Sequence, residues 1–382
     1  MTTSPDVSPD VIVIGGGAIG AACAQALARA GRSVMVLDRG AAAAGAPGTP
    51  PAGDAWRASA GMLAPQIEVR HDEALFDLGL AGRELYAALA ETLRESTGID
   101  IGLWQEGIAR VAVSEADAVE VRSAVAWQRQ KGHIADWLDA GEVRARWPWL
   151  GPTCGALWAP RDGALQPTRL VEALLADAAA HGARVVQETV TALEHRGPRV
   201  TTVVGASGEC YHAEQVVVAA GAWSGRLAGL PRPLSVEPVR GQIAAVPWPA
   251  AVPRAIIYHR GGYLLARGDE ALVGSTMEYV GYDAEVTAEG IASLFNRVSA
   301  LCPQLQRADV QHTWAGLRPL TPDGRPIIGR APLSDNLWYA TGHGRNGILF
   351  AAITGQLVAQ LLAGETPEQD LAPMSPERFW RW

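Results

Sequence analysis

The sequence contains few cysteines, and their spacing argues against two kinds of structural site. Only four of the 382 residues are cysteines (Cys23, Cys154, Cys210 and Cys302), and no two of them form a CxxC pair. Neither a disulfide framework nor a zinc site is supported, and a reducing compartment is the default expectation. The first ten residues lack a basic region followed by an apolar one, so we expect no signal peptide and a cytoplasmic protein.

The sequence also lacks an excess of positive charge. Its 32 lysines and arginines are outnumbered by 40 aspartates and glutamates, which gives a net charge of −8. This balance disfavours nucleic acid and anionic lipid as partners, because both bind to clustered positive charge. HExxH and GxSxG motifs are absent, so zinc protease and serine hydrolase chemistry have no support. The eight histidines lack ligand spacing, and no metal site is predicted.

Residues 11–28 form a run without formal charge that is long enough to be mistaken for a membrane span. Four glycines lie within it, and they argue against a membrane helix. The same residues fit a nucleotide-binding pattern better. We therefore expect no integral membrane segment.

Residues 10–40 predict a strand, a glycine-rich turn, a helix and a second strand. Val11–Ile14 is an apolar run typical of a strand buried in a parallel sheet. Gly15, Gly17 and Gly20 follow with GxGxxG spacing, and the alanine-rich segment after them favours a helix whose N-terminus faces phosphates. Asp38 ends the second strand, where a carboxylate accepts hydrogen bonds from an adenosine ribose. This order of features predicts a dinucleotide site.

Glycine and proline divide the rest of the chain. Gly40–Gly53 is predicted to be a flexible connection, Pro231–Pro253 a linker and Gly316–Gly329 a loop. Near the end of the chain, a strand at Leu337–Ala340 leads into a glycine-rich turn, Thr341–Gly347, that opens a helix. A nicotinamide dehydrogenase usually completes its cofactor domain before another begins. The late return of glycine-rich elements therefore fits a larger cofactor better.

Six blocks spread over nearly the whole chain carry a family resemblance. They are VIVIGGGAIG with Asp38, SAGMLAPQIEV (59–69), VVVAAGAWS (216–224), YLLARGDEALVGSTME (263–278), WAGLRPLTPDGRPIIG (314–329) and TGHGRNGILFAAITG (341–355). These blocks resemble the D-amino-acid oxidase-like FAD oxidoreductases, in particular the glycine oxidase (ThiO) type.

The resemblance implies an α/β fold made of two domains. One is an FAD-binding Rossmann-like domain of the glutathione-reductase type, expected at residues 1–88, 155–232 and 312–382. The other is a mixed α+β substrate domain containing an antiparallel sheet, expected at residues 89–154 and 233–311.

The resemblance also implies non-covalent FAD and assigns residues to it. The ADP half is expected at Gly15, Gly17, Gly20, Asp38 and Arg39, with adenine at the backbone of Val190. Gly344 departs from the family, whose members often carry a bulky residue there. The flavin and the other cofactor contacts are expected at Ala18, Ile19, Ser59, Ala60, Gly61, Met62, Ala220, Gly221, Trp223, His343, Gly344, Arg345, Asn346, Gly347 and Ile348.

Six residues are expected at the substrate. Arg318 is the candidate clamp for an α-carboxylate, because a guanidinium binds that group through two parallel hydrogen bonds. Arg345 is a second cation or a structural partner of an acid, and Tyr263 either adds a hydroxyl to the carboxylate or belongs to the core. The remaining pocket positions are Met277, Met62 and His259, where a core methionine at 277 and a hydrogen-bonded histidine at 259 are equally expected. No side chain is expected to act as an acid or a base.

The activity implied by the resemblance is oxidation of glycine or a small amine such as sarcosine by hydride transfer to flavin N5. The imine would yield glyoxylate and ammonia or enter thiamine thiazole synthesis, and O₂ would reoxidise the flavin to give H₂O₂. Alternatives are a D-amino-acid dehydrogenase that reduces a quinone, a nicotinamide-dependent dehydrogenase and a flavin-binding protein without turnover. A homo-oligomer is possible.

Overall fold

A computed structural model of the chain describes residues 8–40, 53–68, 74–248, 253–260, 262–299 and 301–379. Most of the predicted connection Gly40–Gly53 lies outside them. The α-helices within these residues are α1 (Ala18–Arg29), α2 (Pro65–Glu68), α3 (Ala74–Thr97), α4 (Glu115–Gln130), α5 (Ala140–Arg146), α6 (Pro167–Ala180), α7 (Ala288–Val298) and α8 (Gly347–Leu362).

The strands within the same residues are numbered in chain order. They are β1 (Val11–Ile14), β2 (Val34–Asp38), β3 (Met62–Leu63), β4 (Ile108–Ala112), β5 (Asp136–Asp139), β6 (Gly155–Ala159), β7 (Gly163–Ala164), β8 (Arg184–Gln187), β9 (Val190–Arg196), β10 (Arg199–Gly205), β11 (Cys210–Tyr211), β12 (Gln215–Val218), β13 (Glu237–Pro247), β14 (Ile256–His259), β15 (Gly262–Arg267), β16 (Glu270–Gly274), β17 (His312–Leu320), β18 (Ile327–Arg330) and β19 (Leu337–Thr341).

Six strands form a mostly parallel sheet in the order β18-β19-β12-β1-β2-β8. β1 pairs in parallel with β2 on one side and with β12 on the other. Only β18 runs antiparallel to its neighbour. All four residues of β1 are buried, as expected for a strand covered on both faces. The strand–helix–strand unit predicted from residues 10–40 is confirmed.

The two faces of β1 meet different partners. Val11 and Val13 pack with side chains of α1, whereas Ile12 and Ile14 pack with side chains of the small antiparallel sheet β9–β10–β11. α1 can lie close to β1 because residue 20 is glycine, since a Cβ there would stand 1.8 Å from the carbonyl oxygen of Gly15. The third glycine of the motif therefore sets the helix–strand distance.

Eight strands form a second sheet in the order β17-β13-β16-β15-β14-β4-β6-β5. Its neighbours are antiparallel except β14 and β4, which run in parallel. α4 packs on one face of the sheet and α7 on the other. The predicted mixed α+β unit with an antiparallel sheet is thus present.

Two predictions based on proline were wrong. The predicted linker Pro231–Pro253 contains β13, and the predicted loop Gly316–Gly329 contains the end of β17 and most of β18. β13 and β17 pair over nine residue pairs, with Pro238 opposite Pro319 near one end of the ladder. β17 is an edge strand, where the missing N–H of a proline is tolerated.

Strand pairing also differs from the predicted domain boundaries. Those boundaries put residues 155–159 and 312–320 with the parallel sheet, whereas β6 and β17 pair in the eight-stranded sheet. We therefore propose boundaries that move these two strands into the second unit.

Candidate active site

One cavity of about 1130 Å³ lies between the two large sheets. Residues that follow β1, β2, β8, β12 and β19 line one side, and residues of β13, β15 and β17 line the other. Ligand sites in open parallel sheets form outside the carboxyl ends of the strands, as in this protein. Every residue predicted to bind cofactor or substrate lines this cavity except Gly20 and His259.

The glycine-rich turn and Asp38 meet at one end of the cavity. The two oxygens of the Asp38 carboxylate accept hydrogen bonds from the backbone N–H of Gly16 at 2.6 Å and of Gly40 at 2.8 Å. α1 begins just after Gly17, with no side chain capping it and no acidic residue in its first turn. Its first N–H groups are therefore available to an anion in the cavity.

A stack of side chains spans the same end of the cavity. The Arg39 guanidinium lies 3.6 Å from the ring centroid of Trp223 and 2.5 Å from the Asp54 carboxylate. The Trp223 ring lies 5.9 Å from that of Tyr282, whose hydroxyl donates to the carbonyl of Ala222 at 2.9 Å. This Trp223 stack joins the segment after β12 to the segment after β16.

The middle of the cavity is lined by Ser59, Ala60 and Gly61 on one side. Arg267 supports this segment from behind, since its guanidinium donates to the carbonyl of Ala60 and, at 3.0 Å, to that of Leu165. Burial lowers the pKa of Arg267.

His343 lies at the turn between β19 and α8 and is fully buried. Burial lowers the pKa of its imidazole to about 3, so the ring is neutral at pH 7. Its Nε2 lies 3.1 Å from the hydroxyl oxygen of Thr354. The residues that follow it, Gly344–Asn346 and the start of α8, also line the cavity.

Arg318 on β17 is a cation that also lines the cavity. Its Nη2 donates to Ser275 Oγ at 2.7 Å, and its Nη1 donates to the carbonyls of Thr276 at 3.0 Å and Arg240 at 3.5 Å. Burial lowers the pKa of Arg318, although an arginine keeps its charge. Among the described residues, these bonds use three of its five N–H groups, so two remain for a ligand, including the one on Nε.

Tyr263 on β15 lies beside Arg318 and is only 5% exposed. Its hydroxyl lies against Gly274, the residue before Ser275, where a Cβ would stand 2.3 Å from the phenolic oxygen. Burial raises the pKa of the phenol to about 12, so the phenol keeps its proton at neutral pH. The side chain lines the cavity and also belongs to the core, and its role toward a carboxylate stays a prediction.

The mouth of the cavity carries an ion pair. Arg345 Nε lies 2.7 Å from Glu68 Oε2, and the arginine side chain is half-exposed. Met277 is 52% exposed, and Met62 on β3 lines the wall nearby. His259 does not line the cavity, because its ring turns toward β4, where Nδ1 lies 3.2 Å from the carbonyl oxygen of Val111.

The model of the FAD dependent oxidoreductase family matches residues 10–361 of the chain. This protein belongs to that family. Over 374 residues it is 36% identical to glycine oxidase from Geobacillus kaustophilus, a match that covers 97% of each chain. It is also 35% identical over 378 residues to the bifunctional protein ThiO/ThiG from Trichormus variabilis, covering 97% of this chain and 55% of that one.

The structures agree with the sequences. The crystal structure of the glycine oxidase from Geobacillus kaustophilus matches this FAD-dependent oxidoreductase with a TM-score of 0.88 at 35% identity. The match covers 97% of this chain and 99% of that one. The FAD-binding fold and the family resemblance predicted from the sequence are confirmed.

The cavity of this FAD-dependent oxidoreductase fits its cofactor. α1 and α8 both begin at the cavity, and neither has a side-chain cap or an acidic residue in its first turn. Two uncapped helix N-termini suit a ligand with an anionic pyrophosphate and an electron-accepting ring. The volume exceeds the range of about 300–1,000 Å³ usual for one small molecule, which leaves space for a substrate.

The sequence predictions missed a number of residues that line the cavity, among them Trp56, Glu68, Glu188 and Ser275. Glu68 and Ser275 lie inside two of the blocks that carry the family resemblance, so a signal for them existed. Glu188 follows β8, and only its position after a parallel strand could have indicated it. None of the described helices is long and apolar enough to cross a membrane.

Proposed function

We propose that this protein oxidises glycine or another small amino acid or amine. One observation carries the proposal: Arg318 has N–H groups to spare beside the Tyr263 hydroxyl, in the cavity that also contains the dinucleotide-binding features. The relatives named glycine oxidase support the same substrate class.

Arg318 binds the substrate carboxylate in this proposal. A guanidinium offers a planar pair of N–H donors, which fixes the plane of the carboxylate as well as its position. The protonated Tyr263 hydroxyl adds a further donor. The uncharged side chains of Met62 and Met277 line the same cavity. They pack beside the carbon to be oxidised.

The contribution of the protein to the reaction is binding and orientation. FAD, when bound, would supply the acceptor for a hydride from the carbon that carries the amine, and we propose that O₂ would be the final acceptor of the two electrons. We assign no proton-transfer role to the described side chains beside Arg318. The imine leaves the site and is hydrolysed to glyoxylate and ammonia when the substrate is glycine.

We propose that the cofactor is bound without a covalent link. Gly15, Gly17 and Asp38 hold its ADP half, and the segments 59–62 and 343–348 enclose the flavin. A cytoplasmic location, a homo-oligomeric state and a link to thiamine thiazole synthesis stay predictions from the sequence.

The test is an anaerobic visible spectrum of the purified protein before and after addition of glycine, sarcosine or D-alanine. A yellow protein that glycine bleaches fastest supports the proposal. Bleaching by larger D-amino acids only, without O₂ consumption in air, would point instead to a dehydrogenase that reduces a quinone. A colourless protein that reduces NAD, or a flavin that no amine reduces, would contradict the proposal.

A further inference from the structure

Ser275 joins the two groups that face the substrate carboxylate in the proposed function. Its hydroxyl oxygen accepts a hydrogen bond from Arg318 Nη2 at 2.7 Å. The Tyr263 hydroxyl lies against the adjacent residue, Gly274, where a Cβ would stand 2.3 Å from the phenolic oxygen. Ser275 itself lines the cavity and is half-buried. One small hydroxyl therefore contacts one of the donors and lies beside the other.

The chemistry of the three groups sets the direction of this chain of hydrogen bonds. An arginine N–H can only donate, so Ser275 Oγ is the acceptor toward Arg318. The serine proton is then free to point at the phenolic oxygen of Tyr263. With its oxygen accepting that proton, Tyr263 can turn its own O–H toward the cavity as a donor.

Ser275 is not needed to keep Arg318 in place. The carbonyls of Thr276 and Arg240 hold Nη1 of the same guanidinium from the neighbouring backbone. The side chain also lies over Gly241, where nothing larger than glycine leaves room for it. Removing the Ser275 hydroxyl should therefore leave Arg318 in place. It should change the direction in which the Tyr263 hydroxyl and the Arg318 N–H groups point.

We propose that Ser275 is a positioning residue for carboxylate recognition, which directs the Tyr263 hydroxyl and one edge of the Arg318 guanidinium at the bound anion. The proposal rests on the proposed function in one respect: the ligand of Arg318 and Tyr263 is a carboxylate. It concerns the affinity for the anion and does not depend on which amine is oxidised.

The test is a titration of the flavin spectrum of the holoenzyme with acetate, a carboxylate that has no amine to oxidise. We expect Ser275→Ala to weaken acetate binding by about tenfold, because a hydrogen bond to a charged group is involved. The KM for glycine should rise by a similar factor with little change in kcat. The dissociation constant of FAD should stay the same, because Ser275 acts only toward the carboxylate.

A double-mutant cycle distinguishes a role of Ser275 in orienting the Tyr263 hydroxyl from the simple loss of one contact with the ligand. If Ser275 acts through Tyr263, Tyr263→Phe should cost much less acetate affinity in the Ser275→Ala background than in the parent. The matched control is Ser224→Ala, which removes a buried hydroxyl bonded to Thr341 Oγ1 at 2.7 Å outside the cavity lining. This variant should bind acetate as the parent does.

The proposal would be overturned if Ser275→Ala bound acetate as tightly as the parent. It would also be overturned if the losses of acetate affinity in the two single variants added fully in the double variant. A parent protein that binds no carboxylate would overturn it as well. A parent that binds acetate but is not reduced by glycine would contradict the proposed substrate alone, and the acetate titration would still decide the role of Ser275.

Discussion

Gly241 on β13 lies directly beneath the guanidinium of Arg318 on β17, and a Cβ on residue 241 would stand 2.2 Å from Arg318 Nη2. The strand register explains the contact. Val239 is opposite Arg318 in the ladder, and Gly241 is two residues further along, within reach of a long side chain that crosses diagonally. The carboxylate clamp of the proposed function therefore depends on a glycine in the neighbouring strand.

Gly241→Ala should displace Arg318 without disturbing FAD. We expect the KM for glycine to rise at least about tenfold, because small misplacements of a binding group are costly. The FAD content should match that of the parent. The control is Gly262→Ala on β15, where a Cβ would meet its nearest neighbour at an ordinary 3.4 Å. Equal KM values in Gly241→Ala and the parent would show that Arg318 does not need this space.

Arg318→Lys keeps the charge and removes the planar pair of donors. We expect kcat/KM for glycine to fall about 100-fold, since one ammonium group cannot replace a two-point contact in a buried site. Steady-state assays of O₂ consumption measure the change. The exposed Arg330→Lys, away from the cavity, serves as the control. A lysine variant as active as the parent would remove Arg318 from the clamp.

Tyr282 should slow the loss of FAD. Tyr282→Phe removes its hydrogen bond to Ala222, and Tyr282→Ala also removes the ring beside Trp223. We expect the dissociation constant of FAD to rise severalfold in the first variant and up to about tenfold in the second. Tyr279→Ala is the matched control, because Tyr279 is 68% exposed in the same segment. Flavin fluorescence on dilution gives these constants, and equal values in all three variants would argue against a role for the Trp223 stack.

Arg83 should be a large contributor to stability. Its Nη1 lies 2.6 Å from the Asp162 carboxylate, which is fully buried and accepts the backbone N–H groups of Gln66 and Ile67. Burial raises the pKa of this carboxyl to about 7 even beside Arg83, so Arg83→Met leaves a buried acid without its cation, and the free energy of unfolding should fall by about 3 kcal/mol in urea titrations. Adding Asp162→Asn should restore part of the loss.

The comparison variant for Arg83 is Arg161→Met. Arg161 pairs with Glu84, and both side chains are well exposed. Its loss should cost less than about 1 kcal/mol. Similar costs for the two arginines would show that the Arg83–Asp162 pair contributes little.

His343 should make the protein sensitive to mild acid. Burial lowers the pKa of this imidazole to about 3 from an ordinary value of 6.5. Between these pKa values the unfolded chain binds a proton that the folded chain does not, so the free energy of unfolding falls as pH falls from about 6.5. Above pH 6.5 the contribution is constant.

The comparison variant for this effect is His343→Gln, which cannot titrate. Between pH 7.5 and 5.5 the parent should lose about 1.4 kcal/mol more than this variant. Urea titrations at fixed FAD concentration measure both losses. Parallel losses in the two proteins would mean that His343 accepts a proton while folded.

Local sequence determined the dinucleotide half of the cavity. The pattern from Val11 to Asp38 needs only neighbouring residues: an apolar strand, glycines at a tight turn, an alanine-rich helix and an acid at the next strand end. Each of these is a short-range preference, and the segment folds as predicted. The family resemblance then extended the prediction to the cofactor and to most of the cavity wall.

Tertiary structure alone decided the substrate half. Proline density made 231–253 and 316–329 look irregular, yet β13 and β17 form because each supplies the other with hydrogen-bond partners and a buried face. The contacts of Arg318 with Gly241 and Ser275 join residues 77 and 43 positions apart. Such contacts depend on strand register, and register is set by the packing of whole sheets, which no local preference encodes.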